Sequence, residues 1–235
     1  MKYTKLGTSD LNVSRIVLGC MRIADKPLER TERLLEAAVE AGVNMFDHAD
    51  IYGGGESERL FGLALKNTGI AREKIVVQSK CGIRKGMFDF SKQHILEAAE
   101  GSLKRLGTEY LDALLLHRPD ALMEPDEIFA AFDELYRSGK VRQFGVSNFS
   151  VSQTRLLEGG RYPIAANQLQ FSLMHAGMVD EGLNVNMIKG ESVERGGEIL
   201  DYCRLKRITV QAWSPLNFGM FEGIFVGNER FPELN

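Results

Sequence analysis

Ionisable and amide side chains gather at the ends of short apolar runs in this sequence. Asp47-His48-Ala49-Asp50-Ile51-Tyr52-Gly53 follows one run, Lys80 closes the next, and His117 follows a third. Ser147-Asn148, Asn167-Gln168 and Trp213-Ser214-Pro215 stand at the ends of three more. A carboxylate, a phenol, an ammonium and an imidazole suit proton delivery to a carbonyl that is receiving hydride. A free phenol, with a pKa of ~10, donates poorly at neutral pH, and a nearby ammonium lowers that value by stabilising the phenolate. Lys80 is placed to do this for Tyr52, Asp47 to keep Lys80 charged and oriented, and His117 to polarise the carbonyl oxygen. Asp47, His48, Asp50 and His117 are also ligand types for a divalent metal, as in a metal-dependent barrel hydrolase. Their spacing matches no recognised zinc pattern, and Lys80 fits the reductive chemistry better.

Strand-like and helix-like segments alternate around these residues. The strand runs are 15–19, 43–47, 75–80, 111–116, 141–146, 165–169 and 208–213. Helical periodicity covers 28–41, 57–66, 125–138, 150–158 and 198–206. A further helix is capped by Ser91 and shows Ile95, Ala99, Leu103 and Leu106 on one face. Ser57 is the expected cap of the second helix. Such alternation implies right-handed βαβ units and a parallel sheet. Gly53-Gly54-Gly55 has neither the spacing nor the position of a dinucleotide phosphate loop. The reactive residues instead sit after several different strands, where (β/α)₈ TIM barrels place their sites. The expected fold is therefore an α/β barrel of that type. Tyr3, Leu6, Leu11 and Val13, around Gly7-Thr8-Ser9-Asp10, read as an N-terminal hairpin that plugs the barrel bottom.

Composition is ordinary for a folded domain: 235 residues, 44% hydrophobic and 26% charged, with a net charge of -3. That charge leaves no electrostatic footprint for nucleic acid or anionic lipid. No apolar run is long enough to span a membrane, and Met1-Lys2-Tyr3-Thr4-Lys5 lacks the apolar core of a signal peptide. Cys20, Cys81 and Cys203 are too few and too widely spaced for a disulfide framework or a zinc ribbon, which points to a cytoplasmic protein. Side chains alternate along a strand, so Cys81 turns away from Lys80 and is expected to be buried and inert.

In their order, FDHADIYGGGESE (Phe46 to Glu58), QSKCG, LLLHRPD, FGVSNF, NQLQFS and AWSPL resemble the aldo-keto reductase family over nearly the whole chain. The closest likeness is to bacterial oxidoreductases with HADIYGG and HRPD motifs. The resemblance implies a single domain over 1–235, a catalytic tetrad of Asp47, Tyr52, Lys80 and His117, and no metal. It implies reduction of a small aldehyde or ketone by an NADP cofactor, in a monomer. Ser147, Asn148 and Gln168 are then expected to hold the nicotinamide carboxamide, with Trp213 stacked on its ring or else packed in the core. Gly19, Met21, Ser214, Pro215 and Leu216 complete the expected cofactor surface. Met21, Met87, Phe88 and Phe149 either line the substrate mouth or pack as ordinary core and rim. Arg118 either binds an anionic substrate group or, the preferred reading, pairs with Asp120 or a neighbouring loop.

Two stretches depart from the pattern. Residues 171–197 carry no clear period and include Gly177, Gly182, Gly190, Gly196 and Gly197. The stretch from His175 to Gly197 reads as a mobile lid over the nicotinamide. After the seventh strand no eighth is legible, and Pro232-Glu233 resembles a first helical turn that is not completed. The expectation is a barrel truncated after the seventh strand, or a fragment of a longer chain. It would lack the adenosine 2′-phosphate site, hold NADPH weakly and tend to self-associate through its free edges. A catalytically weak barrel with a binding or regulatory role is the matching alternative function.

Overall fold

Along the chain, two short strands open the fold: β1 (Tyr3–Lys5) and β2 (Asn12–Ser14) pair as an antiparallel hairpin. There follow β3 (Leu18–Gly19), α1 (Leu28–Glu40), β4 (Met45–Asp47), α2 (Glu56–Thr68) and β5 (Val76–Cys81). A second hairpin, β6 (Ile83–Arg84) and β7 (Met87–Phe88), precedes α3 (Lys92–Leu106), β8 (Leu111–Leu116), α4 (Pro125–Arg137) and β9 (Val141–Ser147). The chain continues through α5 (Val151–Leu156), β10 (Ile164–Gln170), α6 (Gly177–Leu183), α7 (Ile199–Lys206) and β11 (Thr209–Trp213). The computed structural model describes residues 1–185, 187, 188, 190 and 197–217. The proposed lid lies partly, and the expected missing eighth strand and Pro232-Glu233 lie wholly, outside the described residues.

Seven strands form one parallel sheet in the order β3-β4-β5-β8-β9-β10-β11. The sheet is curled. Gln78 on β5 and Gln211 on β11 are separated by three intervening strands, yet their side chains are hydrogen-bonded at 2.9 and 3.0 Å. The result is the curled parallel sheet of a (β/α) barrel, as the strand pattern predicts.

Alternation along each strand assigns its two faces. Met45 and Val76, then Ala113 and Leu115, point inside the curl and pack with Leu6 and Val13 of the N-terminal hairpin. Phe46, Val77, Leu114 and Leu116 point outward against Ile95, Leu103, Ile128 and Phe132 of the helices. The hairpin therefore plugs the N-terminal end of the strands. Its turn approaches closely: Gly7, at φ +57°, lies where a Cβ would fall 2.6 Å from the Ala165 carbonyl oxygen. Its backbone N–H donates to Thr209 Oγ1 on β11, tying the plug to the far side of the sheet.

Several local expectations meet their physical limits. Ser91 caps α3 by accepting from the His94 N–H, and Ser150 forms a reciprocal capping box with Gln153 at α5. Ser57 is not a cap. The left-handed Gly55 already starts α2, and Ser57 lies buried inside the first turn. The first barrel strand is shorter than the apolar run, because Arg15 N–H bonds Lys2 in the hairpin and Ile16 is exposed. The aperiodic stretch after β10 holds the helix α6, whose short sequence buries no residue and so leaves no apolar stripe to read.

Candidate active site

The same alternation that puts Met45 and Val76 inside the curl carries Asp47, Gln78 and Lys80 onto its inner face. Lys80 is fully buried. Its Nζ donates to Asp47 Oδ2 at 2.7 Å, to the His48 carbonyl at 2.7 Å and to the Tyr52 hydroxyl at 3.0 Å. Tyr52 reaches the ammonium from the loop after β4, which Gly53, Gly54 and Gly55 turn at φ +58°, +64° and +92°. L side chains rarely adopt such values, so this loop depends on glycine. His117 follows the outward Leu116 and faces Tyr52 edge-on, with ring centroids 5.8 Å apart. The structure thus brings all four predicted residues together at the C-terminal end of the strands.

Burial governs the protonation of these groups. It works against the Lys80 ammonium, but the charges of Asp47 and Tyr52 and the hydrogen bonds to both outweigh it and raise the lysine's pKa. For Tyr52, burial raises the pKa, Lys80 pulls it down and Asp47 pushes it up, with a net rise. The expected lowering by Lys80 is therefore present but outweighed, and the phenol is held protonated. His117 is pushed down to about 3, by burial first and then by the Lys80 and Arg118 charges. At neutral pH its imidazole is uncharged and carries one N–H donor. Burial also pushes the Cys81 thiol up, in keeping with an inert side chain.

A second group lines the neighbouring strand ends. Ser147 Oγ donates to the Gln168 carbonyl at 3.0 Å and accepts from Asn148 Nδ2 at 2.8 Å. Trp213 Nε1 donates to Asn148 Oδ1 at 3.0 Å, with Asn148 in the left-handed region at φ 60°. Gln168 Nε2 donates to Asp47 Oδ1 and Gln211 Oε1, both at 3.1 Å. Trp213 is half-buried, so it is not a core residue. Gly19 pairs with Asp47 across β3 and β4, with open space where a Cβ would stand. Met21 and Leu216 are exposed, Ser214 turns the chain at φ 52° after Trp213, and Pro215 follows it on the exposed rim.

Sequence reasoning missed the rest of the inner shell. Gln78 donates to Asp47 Oδ1 at 2.6 Å. Behind the Tyr52 loop, the fully buried Glu58 accepts from Ser79 Oγ at 2.6 Å and from Arg105 Nε at 2.7 Å. Its position in an acidic first turn gave no sign of burial. Asp50 lies beside this pair, its carboxyl pushed up to about 7 by burial and then by the Glu58 charge. Phe149 packs on Phe90 in the core, whereas Met87 and Phe88 are exposed on the small hairpin. Arg118 does not pair with Asp120. Asp120 accepts from the Leu122 N–H, and the Arg118 guanidinium lies over the Trp213 ring at 5.9 Å. The metal arrangement also fails: among the described residues no three His, Cys, Asp or Glu side chains converge on a cation site. Lys80 takes the Asp47 oxygen that such a site needs, and the His48 ring packs on Phe61.

A curled parallel sheet with this constellation at its C-terminal strand ends defines a class of oxidoreductase acting on carbonyl groups. The aldo/keto reductase family model matches residues 15–234, and the chain belongs to that family. It is 40% identical over 223 residues to the uncharacterized oxidoreductase YcsN of Bacillus subtilis (strain 168), covering 89% of this chain and 69% of the relative. Similarity to the oxidoreductase YdhF of Escherichia coli (strain K12) is 38% over 218 residues, covering 88% and 67%. The 6-dehydroglucose reductase of Agrobacterium fabrum is 34% identical over 238 residues, covering 95% and 75%. Among solved structures, the thermostable aldo-keto reductase Tm1743, bound to the inhibitor epalrestat, superposes with a TM-score of 0.72 at 30% identity, covering 92% and 73%. Among the described residues no helix is long and apolar enough to cross a membrane.

Proposed function

We propose that this protein reduces a small aldehyde or ketone to the alcohol, with NADPH as reductant and Tyr52 as proton donor. The observation that carries the reading is the buried Lys80 ammonium, which bridges Asp47 Oδ2 at 2.7 Å and the Tyr52 hydroxyl at 3.0 Å. When bound, the nicotinamide cofactor supplies hydride to the carbonyl carbon. Tyr52 gives its proton to the carbonyl oxygen as charge builds there, and Lys80 stabilises the phenolate left behind. His117, uncharged, donates its N–H to the same oxygen. The phenolate regains its proton from water once the alcohol leaves.

The residues on β9, β10 and β11 fit a nicotinamide carboxamide. That group offers an amide N–H pair and a carbonyl acceptor. Gln168 Oε1 has no partner among the described residues, and Asn148 Nδ2 retains a second N–H after bonding Ser147. Trp213 would cover the ring. Tyr52→Phe tests the reading. NADPH consumption with benzaldehyde should fall by ~10²–10⁴, the usual worth of general acid catalysis, while NADPH binding persists. A fall smaller than about tenfold would move the proton donor to another group.

A further inference from the structure

We infer that Gln78 and Gln211 form an amide brace that positions Asp47, and through it the Lys80 ammonium, against the Tyr52 hydroxyl. The inference rests on the proposed role of Tyr52 and adds two positioning residues to it.

Gln78 is fully buried on the inner face of β5, two residues before Lys80. Its Nε2 donates one hydrogen to Asp47 Oδ1 at 2.6 Å and the other to Gln211 Oε1 at 2.9 Å. Gln211 returns a bond from its own Nε2 to Gln78 Oε1 at 3.0 Å. This reciprocal pair fixes both amides. A flipped Gln78 would set a carbonyl oxygen 2.6 Å from a carboxylate and lose the donor to Gln211. Asp47 therefore receives Gln78 and Gln168 on Oδ1 and Lys80 on Oδ2, and its plane and rotamer are set from both sides.

The two amides on Oδ1 are not equivalent. Gln168 spends its Nε2 hydrogens on Asp47 and Gln211, and its Oε1, which has no partner among the described residues, is the group left for a ligand. Gln78 is fully buried and is locked by its two bonds to Gln211. If Gln168 leaves Asp47 when cofactor binds, Gln78 keeps Oδ1 anchored. The brace also crosses the inside of the curl from β5 to β11, so it couples the strand that carries Lys80 to the strand that carries Trp213.

The test compares Gln78→Met, which keeps volume but removes the donor, with Gln78→Glu, which donates only while protonated. Among the described residues, the titratable or charged groups facing Asp47 are Lys80, Tyr52 and Cys20. Gln78→Met should lower kcat by about tenfold to a hundredfold, the range that follows a misplacement of about 1 Å. KM for NADPH should stay within about threefold, because no cofactor contact is removed. Gln78→Glu should keep near-native kcat at acidic pH, where the new carboxyl shares a proton with Asp47. It should fall to the Gln78→Met level as that proton leaves. A purely structural role predicts a Glu/Met activity ratio that does not change with pH, and that result overturns the inference.

A second readout needs no turnover. The side-chain nitrogen resonance of Lys80, assigned by its loss in Lys80→Met, should move in Gln78→Met and in Gln211→Met. An unmoved resonance in either folded variant overturns the brace. Native protein that reduces no carbonyl would sink the proposed function instead, and the resonance would still decide the brace.

Discussion

Replacing Lys80 with Met isolates the ammonium from its own stem. Met retains most of the buried volume, so the change removes a charge and its hydrogen bonds without opening a large cavity. Three bonds disappear, to Asp47, the His48 carbonyl and Tyr52. Hydrogen bonds to charged groups are worth ~1.5–3 kcal/mol each, but the cost of burying the ammonium disappears with them. The remaining loss is the orphaned carboxylate. Removing one partner of a buried pair costs ~3–5 kcal/mol, and Asp47 keeps the Gln78 and Gln168 amides on Oδ1. A loss toward the low end, ~2–4 kcal/mol, is expected in a urea unfolding curve. The effect on rate is larger. Without Lys80 the positive charge that lowers the Tyr52 pKa is gone, so the phenol becomes a weaker acid and a poorer donor. The kcat for aldehyde reduction should fall by ~10²–10⁴, and its alkaline limb should move to higher pH. NADPH affinity, measured by fluorescence, should change little, because Lys80 is buried beneath the site. A folded Lys80→Met enzyme with native kcat and an unmoved alkaline limb would refute the coupling of ammonium to phenol.

Three further predictions use the surroundings of the proposed tetrad. Trp213 is the one tryptophan in the sequence, so NADPH binding should quench most of the protein's intrinsic emission, and an unchanged spectrum on saturation would remove Trp213 from the cofactor site. Trp213→Phe keeps a ring but loses the donor to Asn148, worth ~0.5–1.5 kcal/mol, and should weaken NADPH by about twofold to tenfold. Asp50 gives a pH signature. Its carboxyl is raised from 3.8 to about 7, so the folded state binds more protons than the unfolded state between those values. Its contribution to stability is therefore full below the unfolded pKa and is lost as pH rises through about 7. Relative to Asp50→Asn, the native chain should lose up to about 4 kcal/mol between acidic and mildly alkaline pH. A stability difference that does not change with pH would overturn that reading.

What the sequence made legible follows from period and place. A lysine near the end of a buried strand is costly to bury alone, so Lys80 announced a partner, and Asp47 at the end of the preceding strand supplied it. Tyr52, His117, Ser147, Asn148, Gln168 and Trp213 were legible too, because each lies at the C-terminal end of a strand or in the loop that follows it. Partnerships across the curl were not legible. Gln78 and Gln211 are 133 residues apart, and each looks like an ordinary polar residue in a strand. Their meeting depends on how far the sheet bends, which no local pattern encodes. Glu58 and Arg105 pose the same problem across two helices: an acidic first turn and a basic last turn each satisfy their own helix dipole and hide the buried pair.

The Arg118–Asp120 pairing failed for a related reason. Arg118-Pro119-Asp120 suggests a local ion pair, but Asp120 is used by the turn that follows it, at the Leu122 N–H. That leaves the guanidinium to the face of Trp213, a residue 95 positions away that only the curl brings near. The consequence for chemistry is direct. Arg118, after burial and Lys80, helps to hold His117 in its neutral form. A neutral imidazole can donate to a carbonyl oxygen without giving up its proton, which leaves proton transfer to Tyr52. The proposed division of labour between His117 and Tyr52 therefore rests on charges that the fold, rather than the local sequence, places around them.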